Sequence, residues 1–140
     1  MSRRELREQI FKYIFRIEFN AREEMPEQGK FFFEALKMEA QEREVQEIKE
    51  EDAAYISNKS NKIIEKLDEI DEMINKQAKG WTTQRMGKVD LTILRLAVYE
   101  IVFDEDVPTG VAINEAVELA KRFGQEESSG FVNGVLAKFA

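Results

Sequence analysis

The sequence predicts an all-α protein, and three observations support this prediction. Helix-favouring residues dominate a chain of 140 residues that contains only two prolines and seven glycines. Over most of the chain, apolar residues recur at the three- and four-residue spacing of amphipathic helices. No segment sustains the alternating pattern that is typical of a β-strand. We therefore expect about seven helices and no sheet.

The first half of the chain contains three helical segments. Residues 3–21 and residues 30–40 each carry apolar positions at helical spacing, and a polar break around Pro26 separates them. Residues 41–52 are nearly all charged or amide side chains and are expected to be solvated. A heptad-like seam then runs through Ile56, Ser60, Ile63, Leu67, Ile70 and Ile74. This seam predicts one amphipathic helix from residue 53 to about residue 78, packed within its own domain, with a free coiled coil as the alternative.

The second half of the chain is punctuated by glycine and proline. Gly80 is expected to end the long helix. Residues 88–103 are apolar around most of the helix circumference, which is typical of a buried central helix. Pro108 cannot continue that helix. Residues 111–124 restore an amphipathic pattern, and Gly124 is expected to end it.

The segment Gly130–Leu136, "GFVNGVL", fits either a β-hairpin or a helix. The Asn-Gly pair favours a hairpin, but each strand would have only two or three residues, and no other strand is available for pairing. Ser128 or Ser129 can cap a helix instead. On the helical interpretation, Gly134 indicates close approach of another helix. Asn114 and Asn133 then lie on or near apolar faces, where they bond backbone groups or touch a ligand.

The composition excludes several kinds of chemistry. The chain has no cysteine and no histidine, which removes thiolate ligands and the commonest general base near neutral pH. It also lacks a glycine-rich phosphate-binding loop, and its acidic clusters resemble solvated helix faces. We therefore expect no metal, no cofactor and no catalytic activity. Charges interrupt the N-terminal segment where a signal peptide is apolar, and no run approaches bilayer length, so we expect a soluble cytoplasmic protein.

The net charge of −7 is unevenly distributed. Residues 1–21 carry five basic and three acidic side chains, whereas the acidic excess lies mostly in residues 22–76. The locally basic start is compatible with binding to a polyanion despite the acidic total.

Three C-terminal segments make the sequence recognisable: "ILRLAVYEI", "VPTGVAINEAVELAKRFG" and "FVNGVL". They resemble the NusB family of bacterial transcription factors, and the arginine-rich start that leads into "FKYIF" fits as well. The strong resemblance covers about residues 81–137. It implies two packed helical subdomains, which we place at about residues 1–79 and 80–140.

The same resemblance implies a function and partners. The protein is expected to bind the boxA element of ribosomal RNA leader transcripts together with NusE, a protein of the small ribosomal subunit. The pair is expected to join an antitermination complex on RNA polymerase. The family includes both monomers and dimers, so a homodimer is a further expectation, and no membrane partner is implied.

Two groups of residues are candidates for binding RNA. The first lies on the N-terminal helix and comprises Arg3, Arg4, Arg7 and Lys12 for phosphates and Phe11 for base stacking. The second lies at the corner "KRFGQEESSGF" and comprises Lys121, Arg122, Phe123, Gln125, Glu127 and Phe131. The charged and amide groups of this corner suit phosphates and base edges. Each group also fits a purely structural interpretation. The N-terminal group can be an ordinary basic helix start with phenylalanines in the core. In the second group, Glu127 can be an acid that the helix dipole stabilises at a helix start.

For the protein partner, the resemblance implies Phe15 and Asp90 as residues that face NusE. The sequence departs from the family pattern at several positions. Glu5 interrupts the arginine run, and Lys12 and Phe15 replace the usual glutamine and tyrosine. Gly130 stands where a basic residue is common, which puts one phosphate contact in doubt.

Two other functions remain open from sequence. One is a helical protein-interaction module that uses the acidic middle of the chain or the 56–74 seam without binding RNA. The other is the NusB-like domain of an RNA methyltransferase, in which case we expect this chain to be only a fragment of the enzyme.

Overall fold

The computed structural model describes all residues from 1 to 140, and they fold into seven α-helices without a β-strand. The helices are α1 (Arg3–Phe15), α2 (Met25–Glu42), α3 (Glu50–Glu65), α4 (Leu67–Gln77), α5 (Lys88–Phe103), α6 (Thr109–Phe123) and α7 (Ser128–Leu136). Short 3-10 turns lie at Arg16–Glu18, Arg22–Glu24, Thr83–Arg85 and Ala137–Phe139. The predicted all-α class and number of helices are confirmed. None of the helices combines the length and apolar character needed to cross a bilayer.

The chain forms two compact units, Met1–Ile64 and Glu65–Ala140. The first contains α1, α2 and nearly all of α3, and the second contains α4 to α7. The sequence-based boundary near residue 79, which assigns α4 to the N-terminal subdomain, stays a prediction.

The heptad-like segment forms two helices instead of the single helix predicted from its spacing. Lys66, with φ −95° and ψ 8°, lies between α3 and α4. Neither glycine nor proline lies at this position, so the sequence contains no signal that predicts the end of α3. Each of the six seam residues is at most 4% exposed. The seam is therefore part of the core and is not available to a partner helix. The coiled-coil alternative is therefore wrong.

The first unit is built around a close approach of α1 and α2 at Tyr13. The Tyr13 ring lies 5.2 Å from that of Phe32 and 6.1 Å from that of Phe33. A Cβ atom added at Gly29 would collide with the Tyr13 hydroxyl, so glycine is required there by space. Burial raises the pKa of Tyr13. Arg16 adds a hydrogen bond of 3.0 Å to Gln28 Oε1 and thereby links the end of α1 to α2.

Helix α5 is the centre of the second unit. Every residue from Leu91 to Glu100 is buried, which confirms that this helix, apolar nearly all round, lies in the core. It packs against α4, α6 and α7. Arg95 of α5 donates from Nε to Asp71 Oδ1 and from Nη2 to Asp71 Oδ2, each at 2.8 Å. This forked ion pair fixes α5 to α4.

The ambiguous C-terminal segment is helix α7, so the helical interpretation is confirmed. Three expectations attached to it are wrong. The residue at the N-cap of α7 is Glu127, which makes no side-chain cap hydrogen bond, and not Ser128 or Ser129. Asn114 and Asn133 are exposed and lie on the outer sides of α6 and α7, because their neighbours at helical spacing fill the core. A Cβ atom at Gly134 would meet nothing within 4 Å, so no helix approaches closely there.

Candidate nucleic-acid interface

Helix α1 begins in a capping box. The Glu5 backbone N–H donates to Ser2 Oγ at 3.1 Å, and the Ser2 backbone N–H donates to Glu5 Oε1 at 3.0 Å. The hydrogen bonds from the Ser2 backbone and then from its hydroxyl lower the pKa of Glu5. Glu5, which from sequence only interrupted the arginine run, therefore fixes the start of the helix that carries the arginines. The Ser-x-x-Glu spacing at residues 2–5 is a sequence signal for this box.

The basic side chains of α1 differ in exposure. Arg3 and Arg4 are exposed in the first turn, where a ligand can reach them. Arg7 is only 9% exposed, so its guanidinium is largely committed to the protein. Lys12 is exposed and forms an ion pair with Glu8 at 3.3 Å. The arginines suited to phosphate contact are therefore the first two of the predicted three.

Aromatic residues of α1 and of the turn after it form a ladder that runs from the core to the surface. The rings of Phe11 and Phe15 are stacked at 6.1 Å, and those of Phe15 and Phe19 meet edge to face at 5.2 Å. Phe11 is 4% exposed, so in this conformation its ring has no free face for a base. Phe15 is half-buried, and Phe19 is 61% exposed. The accessible aromatic residue is thus Phe19, which no sequence motif marked.

A second group of side chains lines a cleft of about 820 Å³ in the second unit. We call it the aromatic cleft. Its lining comes from residues 81–90, which lead into α5, and from residues 123–131, which join α6 to α7. The lining residues are Trp81, Met86, Gly87, Lys88, Val89, Asp90, Phe123, Gly124, Gln125, Glu127, Ser128 and Phe131. These two segments are distant in sequence, and the fold brings them together.

The aromatic cleft gathers most of the residues predicted for the corner. Phe123, Gln125, Glu127 and Phe131 all belong to its lining. Asp90, assigned by resemblance to the protein partner, lies in the same lining. Lys121 and Arg122 are exposed at the end of α6 but are not part of the lining, and the Arg122 guanidinium lies 5.2 Å over the Phe123 ring. Sequence reasoning missed Trp81, Met86 and Lys88 because they belong to a segment without a binding motif.

The backbone of the corner is held by Ser128. Its hydroxyl oxygen accepts from the Gln125 N–H at 2.9 Å, and its own N–H donates to the Gln125 carbonyl at 3.1 Å. Ser128 is 3% exposed. A Cβ atom at Gly124 would lie 2.5 Å from Ser128 Cβ and 2.7 Å from the Ala120 carbonyl oxygen. Glycine is therefore required at the end of α6 by space, and the turn has little freedom.

Charged groups of both signs border the aromatic cleft. Asp90 lies in the first turn of α5, and Glu127 flanks the start of α7, so both carboxylates stand near positive helix ends. Lys88 supplies a cation within the lining. Rings, carboxylates and a cation around one opening suit a ligand that has a flat apolar face, hydrogen-bond donors and negative charge.

Fold and cleft together define a small all-α protein with aromatic and polar groups converging on an open cleft, the build of a binding protein. The chain belongs to the NusB family, whose model matches residues 4–140. A relative from Agathobacter rectalis, transcription antitermination protein NusB, is 50% identical over 140 residues, with 100% of both chains covered. A relative of the same name from Natranaerobius thermophilus is 42% identical, with 100% of this chain and 95% of the relative covered.

Solved structures agree with the sequence relatives. NusB from T. maritima has a TM-score of 0.83 and 34% identity, with 100% of this chain and 91% of that chain covered. A chain in a crystal structure of the antitermination factors NusB and NusE in complex with dsRNA has a TM-score of 0.74 and 25% identity, with 98% of this chain and 94% of that chain covered. The family predicted from the C-terminal motifs is confirmed, and the similarity extends beyond residues 81–137.

Proposed function

We propose that this protein is an RNA-binding transcription antitermination factor. It binds boxA-type single-stranded RNA of ribosomal RNA leader transcripts together with NusE, and supports processive elongation by RNA polymerase. The observation that carries this proposal is the aromatic cleft, which unites four residues predicted for RNA binding from α6, α7 and the turn between them. The relatives' name and the similar chain in complex with NusE and dsRNA support it.

Phosphate contacts come from exposed cations. Arg3 and Arg4 extend from a helix start that the capping box holds in place, and a guanidinium donates in pairs to phosphate oxygens. Lys12 adds a weaker point charge, because Glu8 shares it. Lys121 and Arg122 add two exposed positive charges beside the aromatic cleft. Arg7 is largely buried, so it contributes to the local positive charge and makes no direct phosphate contact in this proposal.

Base contacts come from the aromatic cleft. The Phe131 and Phe123 rings offer stacking surfaces for unstacked bases. Glu127 accepts from exocyclic amines, and Gln125 both donates and accepts at base edges. Because RNA bases expose their faces and Watson–Crick edges only when they are unpaired, this arrangement favours a single-stranded element over a duplex.

Contacts with NusE are assigned to Phe15 and Asp90. Phe15 is half-buried and continues into the exposed ring of Phe19, which enlarges the apolar surface available to a protein. Asp90 borders the aromatic cleft, so a partner bound there adjoins the RNA. Such proximity explains why RNA and NusE would bind together.

We further propose that the protein performs no catalysis and acts in the cytoplasm. It has neither histidine nor cysteine, and its relatives carry the name of an antitermination protein. Its contribution is binding and placement of RNA within the RNA polymerase complex, with no metal or cofactor.

A salt-dependent titration tests the function. We expect boxA RNA to bind, with a slope of log affinity against log salt near −0.7 for each phosphate contact, and NusE to tighten the complex. RNA of the same length with a scrambled boxA, and a duplex of the boxA sequence, are the controls. A weak, salt-independent response to boxA RNA with and without NusE would contradict the proposal. It would favour a protein-interaction module.

A further inference from the structure

We propose that Trp81 is a base-stacking wall of the aromatic cleft and that the neighbouring Arg85 binds the phosphate of the stacked nucleotide. This inference rests on the proposed RNA-binding function and assigns two residues to it that lie outside both predicted groups. It follows from the exposure, the fixed backbone and the ring geometry of Trp81.

Trp81 is exposed although its backbone is fixed. The indole is 47% exposed, which is high for the largest apolar side chain in the protein. The Trp81 N–H donates to the Ala78 carbonyl at 2.9 Å, directly after Gly80, which has a φ of +84°. The Thr83 N–H donates to Asn75 Oδ1 at 2.8 Å. The turn is therefore tied to α4 on both sides of Trp81, and its ring is displayed by an ordered segment.

The Trp81 and Phe131 rings form an inclined pair, the ring pair, whose geometry matches a single base. Their centroids are 5.6 Å apart, and their planes are inclined at 69°. A flat base that stacks on one of two such rings presents its edge to the other, so the ring pair accommodates one base. Stacking on aromatic rings tolerates every base, because each has a π-face. The ring pair therefore adds affinity, whereas Glu127 in the same lining supplies hydrogen-bond acceptors.

A cation stands beside the stacking surface. The Arg85 guanidinium carbon lies 5.8 Å from the Trp81 ring centroid, and Arg85 is exposed. Lys88, three residues further along the chain, belongs to the cleft lining. A nucleotide whose base stacks on the indole carries its phosphate beside that base, so Arg85 and Lys88 meet the negative charge.

Tyr55 provides a matched control. It is 45% exposed, and Lys59, four residues later, lies 5.7 Å over its ring. Trp81 has the same combination of exposure and a cation four residues later, but only Trp81 lines the aromatic cleft. Replacement of each ring by leucine removes a similar aromatic surface and leaves an exposed side chain that the fold tolerates.

Binding of boxA RNA with single abasic sites, one position at a time, tests the inference. In the wild-type protein, one abasic position should weaken binding about tenfold, the scale of one lost stacking contact. In Trp81→Leu the same position should have almost no further effect, because its stacking partner is already gone. Trp81→Phe should restore most of the affinity, and Tyr55→Leu should leave the whole profile unchanged. Arg85→Gln should weaken binding and reduce the salt slope by about 0.7.

Fluorescence gives an independent measurement. Trp81 is the only tryptophan in the chain, so the emission lost between wild type and Trp81→Phe reports the cleft alone. We expect boxA RNA to quench this emission at the concentrations at which it binds. If RNA binds while the emission is unchanged and no abasic position couples to Trp81→Leu, the inference fails and the RNA-binding function stands. If boxA RNA does not bind the wild-type protein, both fail.

Discussion

The start of α1 and the aromatic cleft are built for the same kind of ligand in opposite ways. At the start of α1, Arg3 and Arg4 extend as long exposed side chains from a capped helix. In the cleft, rings from two segments distant in sequence are held by a turn in which Gly124 and Ser128 leave almost no freedom. The first region presents exposed charge on long side chains, and the second presents aromatic and polar groups on a backbone with little freedom.

This difference predicts a division of labour. Exposed cations attract any polyanion and give affinity that salt weakens, but they carry little sequence information. Fixed rings and acceptors place individual bases, so they determine which sequence binds. Changes that loosen the cleft should therefore affect specificity and stability, and changes at the start of α1 should affect affinity and its salt dependence.

The largest effect is expected from Asp71→Asn. The substitution removes the negative charge of the forked ion pair that joins Arg95 of α5 to α4, and the Arg95 side chain is only 10% exposed. We expect the free energy of unfolding to fall by about 3 kcal/mol. Urea unfolding measured by circular dichroism checks this. Because α5 carries Asp90 and adjoins the cleft, binding of boxA RNA should weaken with it.

An exposed ion pair at the start of α4 is the control for Asp71, since Lys66 precedes the helix and Glu69 lies in its first turn. Lys66 and Glu69 are 3.7 Å apart, with side chains that are 43% and 57% exposed. Glu69→Gln should change the free energy of unfolding by less than about 1 kcal/mol. Equal losses for the two substitutions would mean that the Arg95–Asp71 pair is not a special support of the second unit.

Gly124→Ala should be the next largest change. The added Cβ atom collides with Ser128 and with the Ala120 carbonyl, so the turn between α6 and α7 must shift. We expect a loss of about 2 kcal/mol in stability. Discrimination between boxA RNA and a scrambled RNA should also decrease, because Gln125 and Glu127 move with the turn. Thermal unfolding and competition binding measure the two effects.

Gly134→Ala is the matched control and should have the opposite sign. Gly134 lies within α7, and its added Cβ atom would meet nothing within 4 Å. Alanine in a helix is more favourable than glycine by about 1 kcal/mol, so the variant should be more stable than wild type. A loss of stability in both variants would show that flexibility of α7, and not space at Gly124, governs the corner.

Much of the fold was predictable because it follows from local pattern. The nearly continuous apolar surface of residues 88–103 predicted a buried α5, and the shortness of the alternative strands identified α7 as a helix despite its Asn-Gly pair. The break at Lys66 was not predictable in this way. Spacing of apolar residues continues unchanged across that break, and no glycine or proline marks it, so tertiary packing decides it.

The candidate site was predictable only where a motif carried it. The corner residues Phe123, Gln125, Glu127 and Phe131 were found through the family-like segment, and the cleft contains all four. Trp81 lies in a turn without a motif, about forty residues earlier in the chain, and only folding brings it to Phe131. The exposure of the aromatic rings was also not predictable from the sequence, because Phe11 is buried and Phe19 is exposed within the same ladder.

At the other region, Arg3→Glu combined with Arg4→Glu tests affinity. We expect about a tenfold loss or more in affinity for boxA RNA and a salt slope that becomes shallower by about 1.4, because two phosphate contacts are lost. Lys30→Glu combined with Lys37→Glu makes the same charge change at exposed positions of α2 and is the control. Equal losses would mean that overall charge, and not the start of α1, attracts the RNA. Discrimination against scrambled RNA should be unchanged, in contrast to Gly124→Ala.

The smallest effect concerns the frame that holds those arginines. The pKa of Glu5 is lowered from its ordinary value of 4.5 because the Ser2 backbone and hydroxyl bond its carboxylate. The stabilisation from this carboxylate is therefore complete above the ordinary value and is lost as the pH falls through the lowered one. Glu5→Gln keeps a capping-box residue that does not titrate. The melting temperature of wild type should exceed that of Glu5→Gln near neutral pH, and the difference should shrink on acidification. A difference that stays constant on acidification would mean that the Ser2–Glu5 capping box does not depend on the charge of Glu5. The helix start that carries Arg3 and Arg4 would then be equally stable at low and neutral pH.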